Sequence, residues 1–343
     1  EIASAEDEQA VIALCKRTPE LVRALLAGGA YPPAIVRAVT AVTDAATVRF
    51  IELAQRRQGP APVPFAFIAL GSQGRWEQTL FTDQDNALIY HGDGAADPRV
   101  GTYFLALAGE VCDNLARSGY RPCHGRIMAG NPQWCLPFGA WREHFTRWMT
   151  RPDERELLDL ITFLDLRQVS GDGALVGALR AHVFELADAS PSLFTHLAQQ
   201  ALSFKAPLRL FGNIILPGGK SDQGGLLDLK AAMMPVVNFA RLFALRNRIP
   251  ATATQERLGA LRDVAFLLPS QYHDILTVFE SLLRLRLAHQ SATVERGLEP
   301  DNLIDPDLLG HLDDAILREC FSEIGHFQEQ IKRSFLGGVE RVG

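Results

Sequence analysis

The chain has little that would place it in a specialised class. Its 343 residues carry only five cysteines, Cys15, Cys112, Cys123, Cys135 and Cys320. They are scattered, odd in number and free of any Cys-x-x-Cys pair, which argues against a disulfide framework or a zinc site and points to free thiols in a reducing cytoplasm. No apolar run approaches the roughly 20 residues needed to span a bilayer, so no membrane span is expected. The start, EIASAEDEQ, lacks the basic-then-apolar layout of a signal peptide and lacks an initiator methionine, so a piece of a longer protein is expected. Positive charge is also short: 34 Lys and Arg stand against 40 Asp and Glu, a net charge of −6. Nucleic-acid affinity comes largely from neutralised phosphates, so this balance argues against a DNA or RNA partner. Internal repeats and low-complexity tracts are absent. What remains is a composition ordinary for a folded protein, 47% hydrophobic and 22% charged, long enough for two or three domains.

Along the chain the apolar spacing is helical over 7–57, with breaks at Gly28-Gly29 and Pro32-Pro33 and a linker at 56–62. The run at 63–70 (VPFAFIAL) reads as a buried strand ending at a glycine, 71–80 as a turn and short helix, and 82–90 (TDQDNALIY) as a second strand. A helix over 103–118 and a further strand within 119–128 follow. Trp134, Trp141 and Trp148, each seven residues apart, read as core packing. Helices are expected near 153–167, 173–187, 191–204, 226–246, 254–266, 270–289 and 307–335, with Gly- and Pro-rich breaks at 216–225 and 298–306. The fold class is therefore α+β: an N-terminal helical segment (1–60), a small sheet domain (61–150) and an all-α domain (151–343).

Chemistry concentrates in Gly71-Ser72-Gln73-Gly74-Arg75-Trp76-Glu77 and Thr82-Asp83-Gln84-Asp85-Asn86. On a strand, residues i and i+2 share a face, so Asp83 and Asp85 present two carboxylates side by side. Their mutual repulsion is relieved by a cation, and Mg²⁺ (or Mn²⁺) commonly takes one or two carboxylates plus substrate phosphates. A strand ending in Gly-Ser at a helix start exposes backbone N–H groups, and Ser72 adds a hydroxyl donor, so Gly71 and Ser72 suit the phosphates of a nucleoside triphosphate. Each half of this pattern is common alone. Both halves on successive strands are far more specific.

These residues, FAFIALGSQGRWEQTLFTDQDNALIY, resemble the GSxGRxExxxxTDxDNAL pattern of the signal-transduction nucleotidyltransferases often found beside CBS or cyclic-nucleotide-binding domains. That group is similar to the amino-terminal domain of PII-protein uridylyltransferases. GYRPCHGRIMAGNPQWC, FLDLRQVSGD and GGLLDLKAAMMPVVNFARLFAL extend the resemblance over most of the chain. It implies a DNA polymerase β-type sheet domain followed by a helical acceptor-binding domain, with regulatory domains upstream in the parent chain. It also implies transfer of UMP or AMP from an NTP to a hydroxyl of a protein or small-molecule acceptor. Asp83 and Asp85 then hold the metal, and Gly71 and Ser72 the phosphates. Many members of the wider superfamily place a third carboxylate on a later strand. The matching stretch here, Cys123-His124-Gly125-Arg126-Ile127-Met128, has none.

Several residues keep two readings. His124 is either a base or structural. Asp228 is either a third acid or a helix-start residue. Arg75 contacts the γ-phosphate or pairs with Glu77 or a nearby Asp. Lys220 and Lys230 neutralise triphosphate or lie on the surface, and Asp165 and Arg167 line a cleft or form a structural ion pair. Three functions follow in order: an enzyme, a nucleotide sensor without turnover, and a docking scaffold.

Overall fold

The computed structural model describes residues 1–92, 98–151, 153–203, 208–210, 213–215 and 225–337. Local signals start and stop the first helices. Asp7 accepts a hydrogen bond from the Ala10 amide at 2.8 Å and so caps α1 (Glu8–Cys15), while Gly28-Gly29 closes α2 (Thr18–Ala27). Two prolines open α3 (Pro32–Gln58), and Gly59, at φ +89, ends it. The apolar runs then become the sheet. β1 (Phe65–Ala69) is buried along its whole length and lies antiparallel to β3 (Asn86–Tyr90), Phe65 opposite Tyr90 and Ala69 opposite Asn86. Between them come the single turn α4 (Gly71–Gly74) and the short strand β2 (Asp83–Gln84). After α5 (Pro98–Arg117), β4 (Arg121–Pro122) pairs in parallel with β2. β5 (Cys135–Pro137) then adds to the far side of β3. The chain continues through α6 (Phe138–Thr150), α7 (Glu154–Phe163), β6 (Arg167–Gly171) and α8 (Gly173–Ala189). β6 completes a four-stranded sheet in the order β5-β3-β1-β6.

Strands β1 and β3 do not alternate apolar with polar because both faces are covered. Phe65, Phe67, Leu88 and Tyr90 join one core with Phe50 and Leu53 of α3 and Phe104, Leu107 and Val111 of α5. α6 and α8 also pack on the sheet, and the Trp141 indole donates to the Leu88 carbonyl at 3.1 Å. Trp134, Trp141 and Trp148 surround Phe163 at centroid distances of 5.1, 5.0 and 5.3 Å, so they are core.

Three local expectations change. The single strand over 82–90 is broken at Asp85, because β2 bonds to β4 while β3 bonds to β1 and β5. The further strand within 119–128 shrinks to two residues, since Arg126, at φ +55, turns the chain. The helix over 153–167 stops at Phe163, and Arg167–Gly171 becomes a strand because β1 offers an open edge that outweighs local helical spacing.

The chain falls into two compact units, Glu1–Ala189 and Ser190–Gly343. This contact boundary lies beyond the 150/151 boundary that the sequence suggests. In the second unit, α9 (Pro191–Ala201) precedes a hairpin of β7 (Leu208–Leu210) and β8 (Asn213–Ile215). β9 (Leu227–Asp228) leads into α10 (Leu229–Arg246), followed by α11 (Thr254–Asp263) and α12 (Pro269–Glu295). β10 (Leu303–Ile304) pairs back on β9 before α13 (His311–Phe335). Among the described residues the unit is helical with two short strand pairs, and the whole is α+β. Among the described residues no helix is long and apolar enough to cross a membrane.

Candidate nucleotidyl-transfer site

At the end of β1, Leu70 is extended and Gly71 takes φ +52, which starts the turn of α4. The Leu70 amide donates to the Asp85 carbonyl at 2.8 Å, and a Cβ on Gly71 would stand 2.6 Å from Asp85 Oδ2. Glycine is therefore favoured by its left-handed backbone, and a side chain there would also have to displace the Asp85 carboxylate. The amides of Gly74, Arg75 and Glu77 are used by the carbonyls of Leu70, Gly71 and Ser72. Among the described residues those of Gly71, Ser72 and Gln73 have no such backbone acceptor, as befits the first amides of a helical turn. α4 is one turn long, so an anion here would be held by these N–H groups and the Ser72 hydroxyl, with little from a helix dipole. Ser72 Oγ lies 3.2 Å from Thr82 Oγ1.

Asp83, in β2, and Asp85, at the break between β2 and β3, are both half-buried. The amide residues alternating with them are fully buried and fix the chain. Gln84 Nε2 donates to the Cys112 and Tyr120 carbonyls at 3.1 and 3.0 Å. Asn86 Oδ1 accepts from the Ala129 amide at 2.8 Å and from the Cys112 thiol at 3.4 Å, while the Asn86 amide donates to the Ile127 carbonyl. These contacts take Gln84 and Asn86 inward, against α5 and the 120–129 loop.

A buried ionic layer supports the turn. Arg75 donates to Glu77 at 2.7 Å and to Asp165 at 2.6 Å. Burial opposes its charge, but the two carboxylates more than offset that and raise its pKa. The sequence assignment of Arg75 to nucleotide binding therefore gives way to the ion-pair alternative: its guanidinium is enclosed and occupied. Asp165 and Arg167 likewise take their structural reading. A Cβ on Gly74 would stand 2.2 Å from the Asp165 carbonyl oxygen, so this second glycine admits the Asp165 backbone. Arg167 pairs with Asp44 at 2.8 Å, donates to the Gln73 and Gly74 carbonyls, and lies 3.7 Å from the centre of the Trp76 ring. Asp44 also accepts from Gln73 Nε2, and Thr40 Oγ1 accepts from the Gln78 amide. Burial raises the Asp44 carboxyl pKa, with Arg167 and Gln73 acting against it. Thr40 and Asp44 lie outside the motif segments, and Gln73 and Thr82 lie within them without a role assigned from sequence. The available signal was the polar set Thr40, Thr43, Asp44 and Thr47 within the otherwise apolar stretch 38–48 of α3.

Cys123 lies in the stretch 123–128, which carries no carboxylate. Burial, then the charge of Asp85 and a hydrogen bond to it, push its thiol up to about 12. His124 is exposed. Asp228 is the N-cap of α10, its carboxylate accepting from the Ala231 amide at 3.1 Å, which is the helix-start reading. Lys230 lies in the first turn of that helix, and both belong to the second unit. Lys220 lies outside the described residues. Among the described residues no group of three or more His, Cys, Asp or Glu is arranged to hold a metal. The turn thus has the Asp85 carboxylate packed against Gly71, with Asp83 two residues earlier in β2; carboxylates of this kind, together with phosphate oxygens, are ligands that suit a hard cation.

Residues 16–155 match the family described as "Putative nucleotidyltransferase DUF294", and residues 191–335 match one described as "Putative nucleotidyltransferase substrate binding domain". The two matches together take in most of the chain. A search of the curated proteins finds no match.

Proposed function

The chain belongs to this nucleotidyltransferase family, and from that premise we propose that it transfers UMP or AMP from the triphosphate to a hydroxyl of a protein or small-molecule acceptor, using Mg²⁺ or Mn²⁺. The observation that carries the reading is the stitching of turn to strand: Gly71 is packed against the Asp85 carboxylate and Ser72 is bonded to Thr82. The Gly71–Gln73 amides and the Ser72 hydroxyl hold phosphate oxygens, and Asp83 and Asp85 hold the cation. Bound there, the cation would neutralise charge developing on the triphosphate as the acceptor oxygen bonds to the α-phosphorus and the bond to pyrophosphate breaks. The ionic layer beneath keeps the turn rigid, so donors are aimed before the nucleotide arrives. The acceptor belongs to the second unit in this reading, and a PII-like regulator is its most concrete form.

Intact-mass analysis of candidate acceptors after incubation with labelled ATP, UTP, CTP and GTP tests the proposal. A mass gain of one nucleoside monophosphate is expected, with pyrophosphate released. Asp83→Asn and Asp85→Asn should each abolish metal-dependent transfer while leaving the melting curve intact. Near-normal activity in either variant sinks the metal assignment. One observation favours a second reading, a sensor that binds nucleotide without turnover: Cys123 lies in the stretch 123–128, which carries no carboxylate. Binding of NTP and Mg²⁺ without pyrophosphate release would select it.

A further inference from the structure

We propose that Thr82 is a positioning residue for Ser72, holding the serine hydroxyl so that its proton is directed at the triphosphate. This rests on the phosphate-binding reading above. Ser72 Oγ and Thr82 Oγ1 are 3.2 Å apart, and either atom can donate. A hydroxyl has one proton and two lone pairs. If Ser72 donates to Thr82, it has no proton left for a phosphate oxygen. If Thr82 donates to Ser72, the serine proton is free and its O–H is polarised by the bond it accepts. An arriving polyanion selects the second arrangement. The two residues suit this division of labour. Thr82 is buried, and its β-branched side chain is stiff at χ1. Ser72 is half-exposed on the turn. Thr82 also immediately precedes Asp83 and lies in the segment whose next two residues pair with Arg121-Pro122. The same bond therefore ties the phosphate turn to the start of the carboxylate strand, a second tie beside the Leu70 amide to Asp85 carbonyl bond.

The test uses the full chain and inorganic tripolyphosphate in the presence of Mn²⁺, with affinity read by calorimetry. Thr82→Val, nearly isosteric, should weaken binding about five- to tenfold, the scale of one hydrogen bond between neutral groups, and Thr82→Ser should restore it. In a Ser72→Ala background the Thr82→Val change should add nothing, because the group it positions is already gone. A role confined to packing would instead add its full effect in both backgrounds. Unchanged affinity in Thr82→Val, or additive losses in the double variant, overturns the assignment of Thr82 alone. Failure of the unaltered chain to bind tripolyphosphate overturns the phosphate-site reading and this inference with it. A loss in Thr82→Val that Thr82→Ser does not restore, with the melting temperature lowered in both, also counts against positioning.

Discussion

Cys123 is half-buried, beside the carboxylate of Asp85, and both facts work against its thiolate. With the thiol pushed up to about 12, only on the order of one molecule in 10⁴ is thiolate at pH 8, against about a quarter for a thiol at the ordinary value. Iodoacetamide should therefore label Cys123 slowly in metal-free buffer. Asp85→Asn removes the charge and should speed labelling at Cys123, measured peptide by peptide by mass spectrometry. It should not reach the rate of an exposed thiol, because burial is the larger cause. Equal rates with and without the Asp85 charge would show that the two groups are not neighbours. At this scale the residues proposed to carry chemistry are legible in the sequence, and those that hold them in place are not. Gly71, Ser72, Asp83 and Asp85 stand out because a Gly-Ser turn and an Asp-x-Asp pair, each common alone, fall together on successive apolar runs. Thr40 and Asp44 do not, and Thr82 stands in the motif without a visible role, since a single buried polar residue looks like any other until its partner is known. Arg75 shows the reverse: a cation beside a phosphate turn suggests phosphate, yet Glu77 and Asp165 occupy it.

Among the elements, α3 was legible as a helix but not as the support of the turn, because Thr40 and Asp44 act one helical turn apart on Gln78, Gln73 and Arg167. β6 was hidden for a related reason. Arg167–Gly171 has no strong strand pattern of its own and becomes a strand by pairing with β1. The helix α6 gives a test of packing. His144 lies against Trp141 and Trp148, and its Nδ1 is buried without a hydrogen-bond partner. Burial first, and Arg147 second, lower its pKa below the ordinary 6.5. The native state then binds fewer protons than the unfolded state once the pH falls below about 6.5, so stability is lost on acidification and levels off below the folded pKa. His182, lowered mainly by burial, acts in the same direction. The melting temperature should drop between pH 7.5 and pH 5, and drop less in His144→Phe. Parallel curves for the two proteins would mean that His144 is solvated or partnered in solution.

For the whole molecule, the class was readable because stretches of helical spacing flank two apolar runs ended by glycine. The extent of the first unit was not, because β6 and the ionic layer come from chain that looks like the start of the helical half. This difference can be measured with two fragments. One ends at residue 150, where the change in texture suggests a boundary; the other ends at Ala189, where contacts within the first unit end. The shorter fragment loses β6, leaving one edge of β1 unpaired, and loses Asp165 and Arg167. Arg75 then keeps Glu77 as an ion partner but lacks Asp165, and Asp44 remains buried without its cation. Breaking a buried ion pair on one side costs about 3–5 kcal/mol, a large part of the roughly 5–15 kcal/mol that holds a domain folded. The fragment ending at 150 should therefore show no cooperative melt. The fragment 1–189 should melt cooperatively and bind tripolyphosphate with the affinity of the full chain, since Gly71, Ser72, Thr82, Asp83 and Asp85 all lie within it. It should not transfer nucleotide to the acceptor, which the helical unit is proposed to hold. If the shorter fragment folds and binds equally well, the buried ionic layer is dispensable to the turn. If 1–189 folds but fails to bind, the second unit supplies phosphate ligands, and Lys230, in the first turn of α10, is the described cation to substitute first.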